Sequence, residues 1–269
     1  MRSGTAVALA TVVEGDGSRQ PGAHLVCWAD GTRGSTGRST LDGEITEAAR
    51  RLLAHGRPGT FPLETASPAG GLQVFINCLA PPPRMLVYGA GELAAALSHQ
   101  GSLLGYRVTV CDARPVFTTP ERFPDADEVV VDWPHRHLTA EAAARRVDTR
   151  TVVVSLTHDP KFEIPLLKAA LRMNLAYVGA MGSRRSIEQR KVSLRAAGLT
   201  DDQLARLSAP VGLDLGGADP AETALSVAAE ILLLRHGGGG AAARLSASTG
   251  PIHREFSATM PVPGANGAA

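Results

Sequence analysis

The sequence predicts an α/β protein: a Rossmann-like, doubly wound parallel sheet preceded by a small α+β N-terminal domain. Three observations carry that expectation. In RMLVYGAGELA, residues 84–94, an apolar run runs straight into a G-x-G-x-x-A turn that opens a helix. A second strand-like run, RVTVC, ends on Asp112, roughly 20 residues past the turn, where an acidic residue that bonds a ribose hydroxyl is expected. Beyond it, strand and helix patterns alternate up to residue 236, and such alternation favours parallel pairing.

Residues 5–13, TAVALATVV, read as a strand; Gly15, Gly17 and Pro21-Gly22 mark a turn, and residues 24–28 read as its hairpin partner. After a second turn at Ala29-Asp30-Gly31 comes a polar, glycine-rich loop, residues 34–40, that runs into a helix over residues 45–54. Such a loop either cradles a phosphate or supplies turn and cap chemistry, and the residues alone leave both open. Residues 72–79 form another strand, which makes residues 1–80 the small domain; Pro81-Pro82-Pro83 is a stiff linker.

The second domain spans residues 84–236. Gly89 permits the tight turn, Gly91 lets a pyrophosphate approach the backbone, and Ala94 lets helix and strand pack closely, while the helix N-terminus offers unpaired N–H groups. Strands over residues 128–133 and 151–156 flank a helix at residues 138–146. If the strand at 151–156 neighbours the one before the glycine turn, Thr157, His158 and Asp159 lie beside that turn. Asp159 before Pro160 is also a helix cap, and His158 is the side chain there able to move a proton near neutral pH. A helix over 161–173 and a strand over 175–181 lead to Gly182-Ser183-Arg184-Arg185, where the serine can cap and the arginines oppose the helix dipole unless an anion offsets them. Asp219-Pro220-Ala221-Glu222 caps a last helix that reaches residue 234 and is closed by Gly237. The tail, 237–269, is rich in Gly, Ala, Ser and Pro and is expected to be disordered.

Composition narrows the function classes. With 27 Lys+Arg against 26 Asp+Glu, no whole-chain field favours nucleic acid or an anionic membrane. No apolar run approaches the roughly 20 residues of a membrane helix, and Met1-Arg2-Ser3-Gly4 leads into strand-like sequence, so a cytoplasmic location is expected. Cys27, Cys78 and Cys111 are widely spaced and read as small core residues, which predicts neither a metal centre nor a disulfide. On residues alone, one reading is an NAD(P)-dependent oxidoreductase with Asp112 on the ribose and His158 as proton donor, although no Lys or Tyr motif that would polarise a carbonyl stands out.

Several blocks point elsewhere: VYGAGELA, VTVCDARPVF, TPERFPDAD, SLTHDPKFEIPLLKAAL, YVGAMGSRRS with the following Arg190, and PVGLDLGGADPAETALSVAAEIL, with weaker support from GDGSRQPGAHLV and GRPGTF. In these the sequence resembles the XdhC/CoxI family of accessory proteins for molybdenum hydroxylases such as xanthine and carbon monoxide dehydrogenase. The resemblance implies a non-catalytic chaperone. It would bind molybdenum cofactor, as molybdopterin or its cytosine dinucleotide, and promote sulfuration with a cysteine desulfurase. It would then deliver the cofactor to the large subunit of the hydroxylase, acting as a homodimer or beside a second XdhC-type protein. The resemblance further implies that the phosphorylated end sits over Gly89, Gly91 and Glu92, with Asp112, Thr157, His158, Asp159, Gly182, Ser183, Arg184 and Arg185 around it, and that the pterin faces Gly37, Arg38, Ser39 and Thr40. Two departures are visible. Thr40 stands where many relatives carry the cysteine of an S-G-G-C loop, and Glu92 stands where a histidine is frequent. A hydroxyl is a poor substitute for a thiolate as a molybdenum ligand, and a carboxylate repels a phosphate at close range.

Overall fold

A computed structural model describes residues 6–14, 21–56, 58–63 and 71–236, which fall into two units with the division between Pro81 and Pro82. The first unit contains β1 (Val7–Glu14), β2 (His24–Trp28), β3 (Gly31–Gly34), α1 (Ser39–His55), β4 (Gly59–Leu63) and β5 (Leu72–Leu79). Its antiparallel sheet has the order β3-β2-β1-β5-β4. Alternation decides which face is buried: Ala8, Ala10 and Val12 of β1 and Leu72, Val74 and Ile76 of β5 point into one core with Ile45, Ala48, Ala49 and Leu52 of α1.

The second unit contains β6 (Arg84–Tyr88), α2 (Glu92–Leu103), β7 (Arg107–Asp112), β8 (Glu128–Val131), α3 (Pro134–Ala143), β9 (Val152–Ser155), α4 (Pro160–Ala170), β10 (Tyr177–Ala180), α5 (Arg184–Ala196), α6 (Asp201–Ala205), β11 (Leu207–Ser208) and α7 (Pro220–Arg235). All strand pairs are parallel, in the order β11-β10-β9-β6-β7-β8. Every residue of β6 is buried, as a central strand covered on both faces requires. Met85 and Val87 join the core built with Ala94 and Leu97 of α2 and Val227 and Ile231 of α7. Leu86 and Tyr88 join the opposite core, with Leu138 of α3 and Leu166 and Leu167 of α4. The sheet is therefore doubly wound, and its order reverses between β6 and β9, the place where such folds open a crevice at the carboxyl ends of the strands.

Several sequence-based boundaries are corrected. The helix expected from residue 45 begins at Ser39, so Ser39 and Thr40 occupy its first turn instead of a loop. The reason lies in Asp42, whose carboxylate accepts bonds from Ser35 Oγ (2.6 Å), Thr36 N (2.7 Å) and Thr36 Oγ1 (2.6 Å) and so folds the preceding residues onto the helix. Strands β3 and β4 were hidden: β3 is four residues without a buried alternation, and β4 carries Pro62 on a sheet edge, where a missing N–H is tolerated. Helix α3 starts at Pro134, four residues before the apolar pattern becomes visible. The turn through Gly15 and Gly17, the closing Gly237 and the tail lie outside the described residues. Among the described residues, no helix is long and apolar enough to cross a membrane.

Candidate functional site

The site forms where β6 and β9 part. Gly89 has φ +115°, and a Cβ on it would lie 2.9 Å from the Leu156 carbonyl carbon and 3.0 Å from Thr157 N. Only glycine fits there, because the turn after β6 is pressed against the turn after β9. Gly91 differs: its backbone is extended, and a Cβ would meet nothing within 4 Å. Gly91 is the N-cap of α2 and supplies no side-chain acceptor, so the first N–H groups of that helix are left for an outside partner. Glu92 stands in that first turn and is exposed.

Asp112 does not present its carboxylate to this opening. It is 3% exposed, and both oxygens are bonded within the chain. Oδ1 accepts Arg114 N and Arg114 Nε (2.9 Å each); Oδ2 accepts Arg114 Nη2 (2.7 Å) and Ala90 N (2.9 Å). Burial alone would raise this carboxyl, but the bonds from Arg114 and from the two backbone N–H groups outweigh it and hold it below the usual carboxylate range. The ribose-binding role expected from its spacing thus competes with four bonds already made. Arg114 is fixed in return, with its guanidinium 4.8 Å from the centre of the Phe117 ring.

Beside this lies a cleft of about 440 Å³ with Arg114, Thr157, His158, Asp159 and Lys161 as its polar lining and Leu156 and Phe162 as apolar walls. Asp159 caps α4 by accepting Lys161 N (3.1 Å), and Lys161 Nζ lies 3.3 Å from Asp159 Oδ2 and 4.6 Å from the centre of the Phe162 ring. Of the residues expected from sequence, Thr157, His158 and Asp159 are brought together here, against the Gly89 turn. Gly182, Ser183, Arg184 and Arg185 are one strand over, at the end of β10; they do not line the cleft, and both arginines are exposed. Ser183 accepts Ser186 N (3.2 Å) as the cap of α5. In the first unit, Gly37, Arg38, Ser39 and Thr40 are exposed, and Arg38 is the N-cap of α1 without a side-chain cap bond.

Sequence reasoning missed Arg114 and Lys161. The signals were present: an arginine two residues after the strand-ending acid, and a lysine directly after the Asp159-Pro160 cap. Also missed was the partner of Arg190, whose Nη2 lies 2.8 Å from Glu163 Oε1 and donates to Met181 O (2.8 Å), joining α4 to the turn before α5.

A model of the XdhC Rossmann domain matches residues 85–231, and a model of the XdhC and CoxI family matches residues 1–64. The chain belongs to the XdhC/CoxI family. Over 243 residues, 85% of this chain and 43% of the relative, it is 28% identical to the uncharacterised protein YqeB of Escherichia coli strain K12. It is also 28% identical to a probable xanthine dehydrogenase subunit of Bacillus subtilis strain 168, over 60% of this chain and 46% of that protein. A third relative, the molybdenum cofactor insertion chaperone PaoD of Escherichia coli strain K12, is 28% identical over 56% of this chain and 40% of its own length. The chain spans less than half the length of each of these curated relatives. Its fold is similar to the crystal structure of a xanthine dehydrogenase from Bacillus halodurans, with a TM-score of 0.51 and 20% identity over 91% of this chain and 96% of that one.

Molybdenum cofactor, which the name of the relative PaoD carries, is a phosphorylated pterin whose metal favours sulfur ligands, and the residues at this edge can be compared with both ends of such a group. Backbone N–H groups at Gly91, with Arg114 and Lys161 nearby, suit a phosphate. The two buried thiols do not suit the metal. Cys111 is buried, with burial and the Asp132 charge pushing it up to about 12, and burial likewise raises Cys27. Among the described residues, no cluster of three or more His, Cys, Asp or Glu side chains is arranged to hold a metal ion.

Proposed function

We propose that this XdhC/CoxI-family chain binds molybdenum cofactor and hands it to a molybdenum hydroxylase of the xanthine or carbon monoxide dehydrogenase type. The observation that supports this best is an edge rich in anion donors and poor in catalytic machinery. Uncapped N–H groups follow Gly91 and two cations line the cleft, whereas His158 is exposed and, among the described residues, has no carboxylate bonded to it that would orient it as a base. A carrier needs to grip and release its guest unchanged, which is what such a donor set does.

In this reading the phosphate end rests over Gly89 to Gly91, with the Thr157-His158-Asp159 turn beside it. When bound, the cofactor supplies the molybdenum centre that the hydroxylase uses; the chain itself holds the phosphate and shields it from water. Sulfuration takes its sulfur from a cysteine desulfurase, in keeping with the burial of the Cys27 and Cys111 thiols. The protein works in the cytoplasm, as a homodimer or beside a second, cysteine-bearing XdhC-type protein. The large subunit of the hydroxylase is the recipient.

Titration of the purified protein with molybdenum cofactor, NADH and NADPH, each followed by its own fluorescence, tests this. Pterin binding with transfer to an apo-hydroxylase is the expected result; tight nicotinamide binding without pterin binding would favour the oxidoreductase reading instead. A sharper test is Gly91→Val. Because a side chain there meets open space, the variant should lose no more than about 1 kcal/mol of stability while ligand affinity falls at least roughly tenfold. A folded Gly91→Val protein with unchanged affinity removes the phosphate from this turn.

A further inference from the structure

We propose that Arg114 and Lys161 form a subsite for a phosphomonoester, and that Asp112 is the positioning residue that holds Arg114 in it. This rests on the reading that the cleft holds a phosphorylated cofactor, and it names the form preferred: one that ends in a free phosphate, not one that ends in a ribose diol.

The argument starts from hydrogen-bond geometry. Where the acidic residue after the second strand is free, it accepts two bonds from a ribose diol. Here Asp112 is buried, accepts a fork of two bonds from Arg114 Nε and Nη2, and takes one more from Ala90 N in the glycine turn. A diol approaching it would have to break a charge-assisted pair. The guanidinium is held on one edge by that carboxylate and on one face by Phe117, and the Arg114 side chain is still 53% exposed. Its remaining edge, Nη1, makes no hydrogen bond among the described residues and carries two N–H donors in a fixed orientation. Lys161, which also lines the cleft, adds a second cation; its Nζ lies 3.3 Å from Asp159 Oδ2, and its ring neighbour Phe162 forms part of the wall. The carboxylates of Asp112 and Asp159 offset the two cations, so the preference comes from placement: Asp112 lies buried behind Arg114, Asp159 is engaged by Lys161 N and Nζ, and the outer edge of Arg114 is the donor that faces the opening. Two cationic groups that flank an opening suit the dianion of a phosphomonoester better than the monoanion of an esterified phosphate.

Free phosphate ends occur on molybdopterin and at the 2′ position of NADP, so two matched pairs separate the sources. Calorimetric titration of the full chain compares molybdopterin with its cytosine dinucleotide, and NADP with NAD. In whichever pair binds, the phosphomonoester member should bind wild-type protein roughly tenfold or more tightly, and Arg114→Gln should erase that difference. Asp112→Asn should weaken it too, because Arg114 loses its seat, while Arg195→Gln, on the outer face of α5, should leave it intact. Circular dichroism checks that each variant is folded. If both pterin forms bind equally and Arg114→Gln changes neither, the subsite falls while the carrier reading stands. If NADP alone binds, in an Arg114-dependent way, the subsite stands and the carrier reading falls. Preference for NAD or for the dinucleotide overturns the subsite, and absence of binding by all four overturns both.

Discussion

Replacing Arg190 by alanine should cost the protein about 3–5 kcal/mol at pH 7.5, seen as a fall in Tm of roughly 6–20 °C. Arg190 and Glu163 are both about nine-tenths buried or more, so removing either strands a charge in the interior. The two halves of the pair should respond differently to pH. Burial raises the Glu163 carboxyl, and Arg190 opposes that rise, so loss of the arginine lets it climb further. A carboxyl whose folded value is raised favours folding below its unfolded value and loses that contribution as pH rises through the folded one. The Arg190→Ala variant should therefore recover part of its loss at pH 5, where Glu163 can take up a proton. Glu163→Ala should show no such recovery, because an arginine cannot shed its proton in this range. Denaturant melts of both variants at pH 5 and 7.5 measure this; parallel losses at the two pH values would refute the buried-charge account. By contrast Arg195→Ala, which breaks the exposed pair with Asp201, should cost less than about 1 kcal/mol.

Gly89→Ala should destabilise the fold by about 2–4 kcal/mol, the second largest effect expected here. Its φ of +115° strains any side chain, and the added carbon would lie within 3.0 Å of the backbone at Leu156 and Thr157. Neither neighbour is the flexible end of a side chain, so relief requires the β9 turn to move, and with it the cleft wall. The contrast with Gly91 is what matters: of two glycines in one motif, one is pressed against backbone and the other faces open space, where the proposed phosphate would lie. A Gly89→Ala protein that melts within a degree or two of wild type would show that the turns are not in contact as described.

Much of the second unit was legible because central parallel strands are uniformly apolar and their turns carry glycine, so β6, β7, β9 and β10 and the α2 turn stood out. The first unit was harder. Its β3 and β4 take their form from pairing with β2 and β5, through backbone bonds that leave no apolar period in GTRG or GTFPL. The start of α1 was hidden for a related reason, since Asp42 lies inside the helix and reaches back to Ser35 and Thr36, opposite to the usual direction of a cap. At the site, spacing located Asp112 correctly but could not say that Arg114 would occupy its oxygens. Arg184 and Arg185 were singled out for their charge at the end of a strand and for the resemblance; the sequence did not show that their strand lies one position beyond β9, outside the lining of the cleft.

The strand order carries a consequence for biogenesis. One neighbour of β6 follows it closely in the chain, whereas the other, β9, comes only after α3. A nascent polypeptide that has emerged as far as α3 therefore bears the all-apolar Met85–Tyr88 ribbon with one hydrogen-bonding side bare, a template for misassociation between ribosomes. Any truncation that ends before Val152 would make that transient hazard permanent, and such fragments should accumulate as inclusion bodies instead of half-domains.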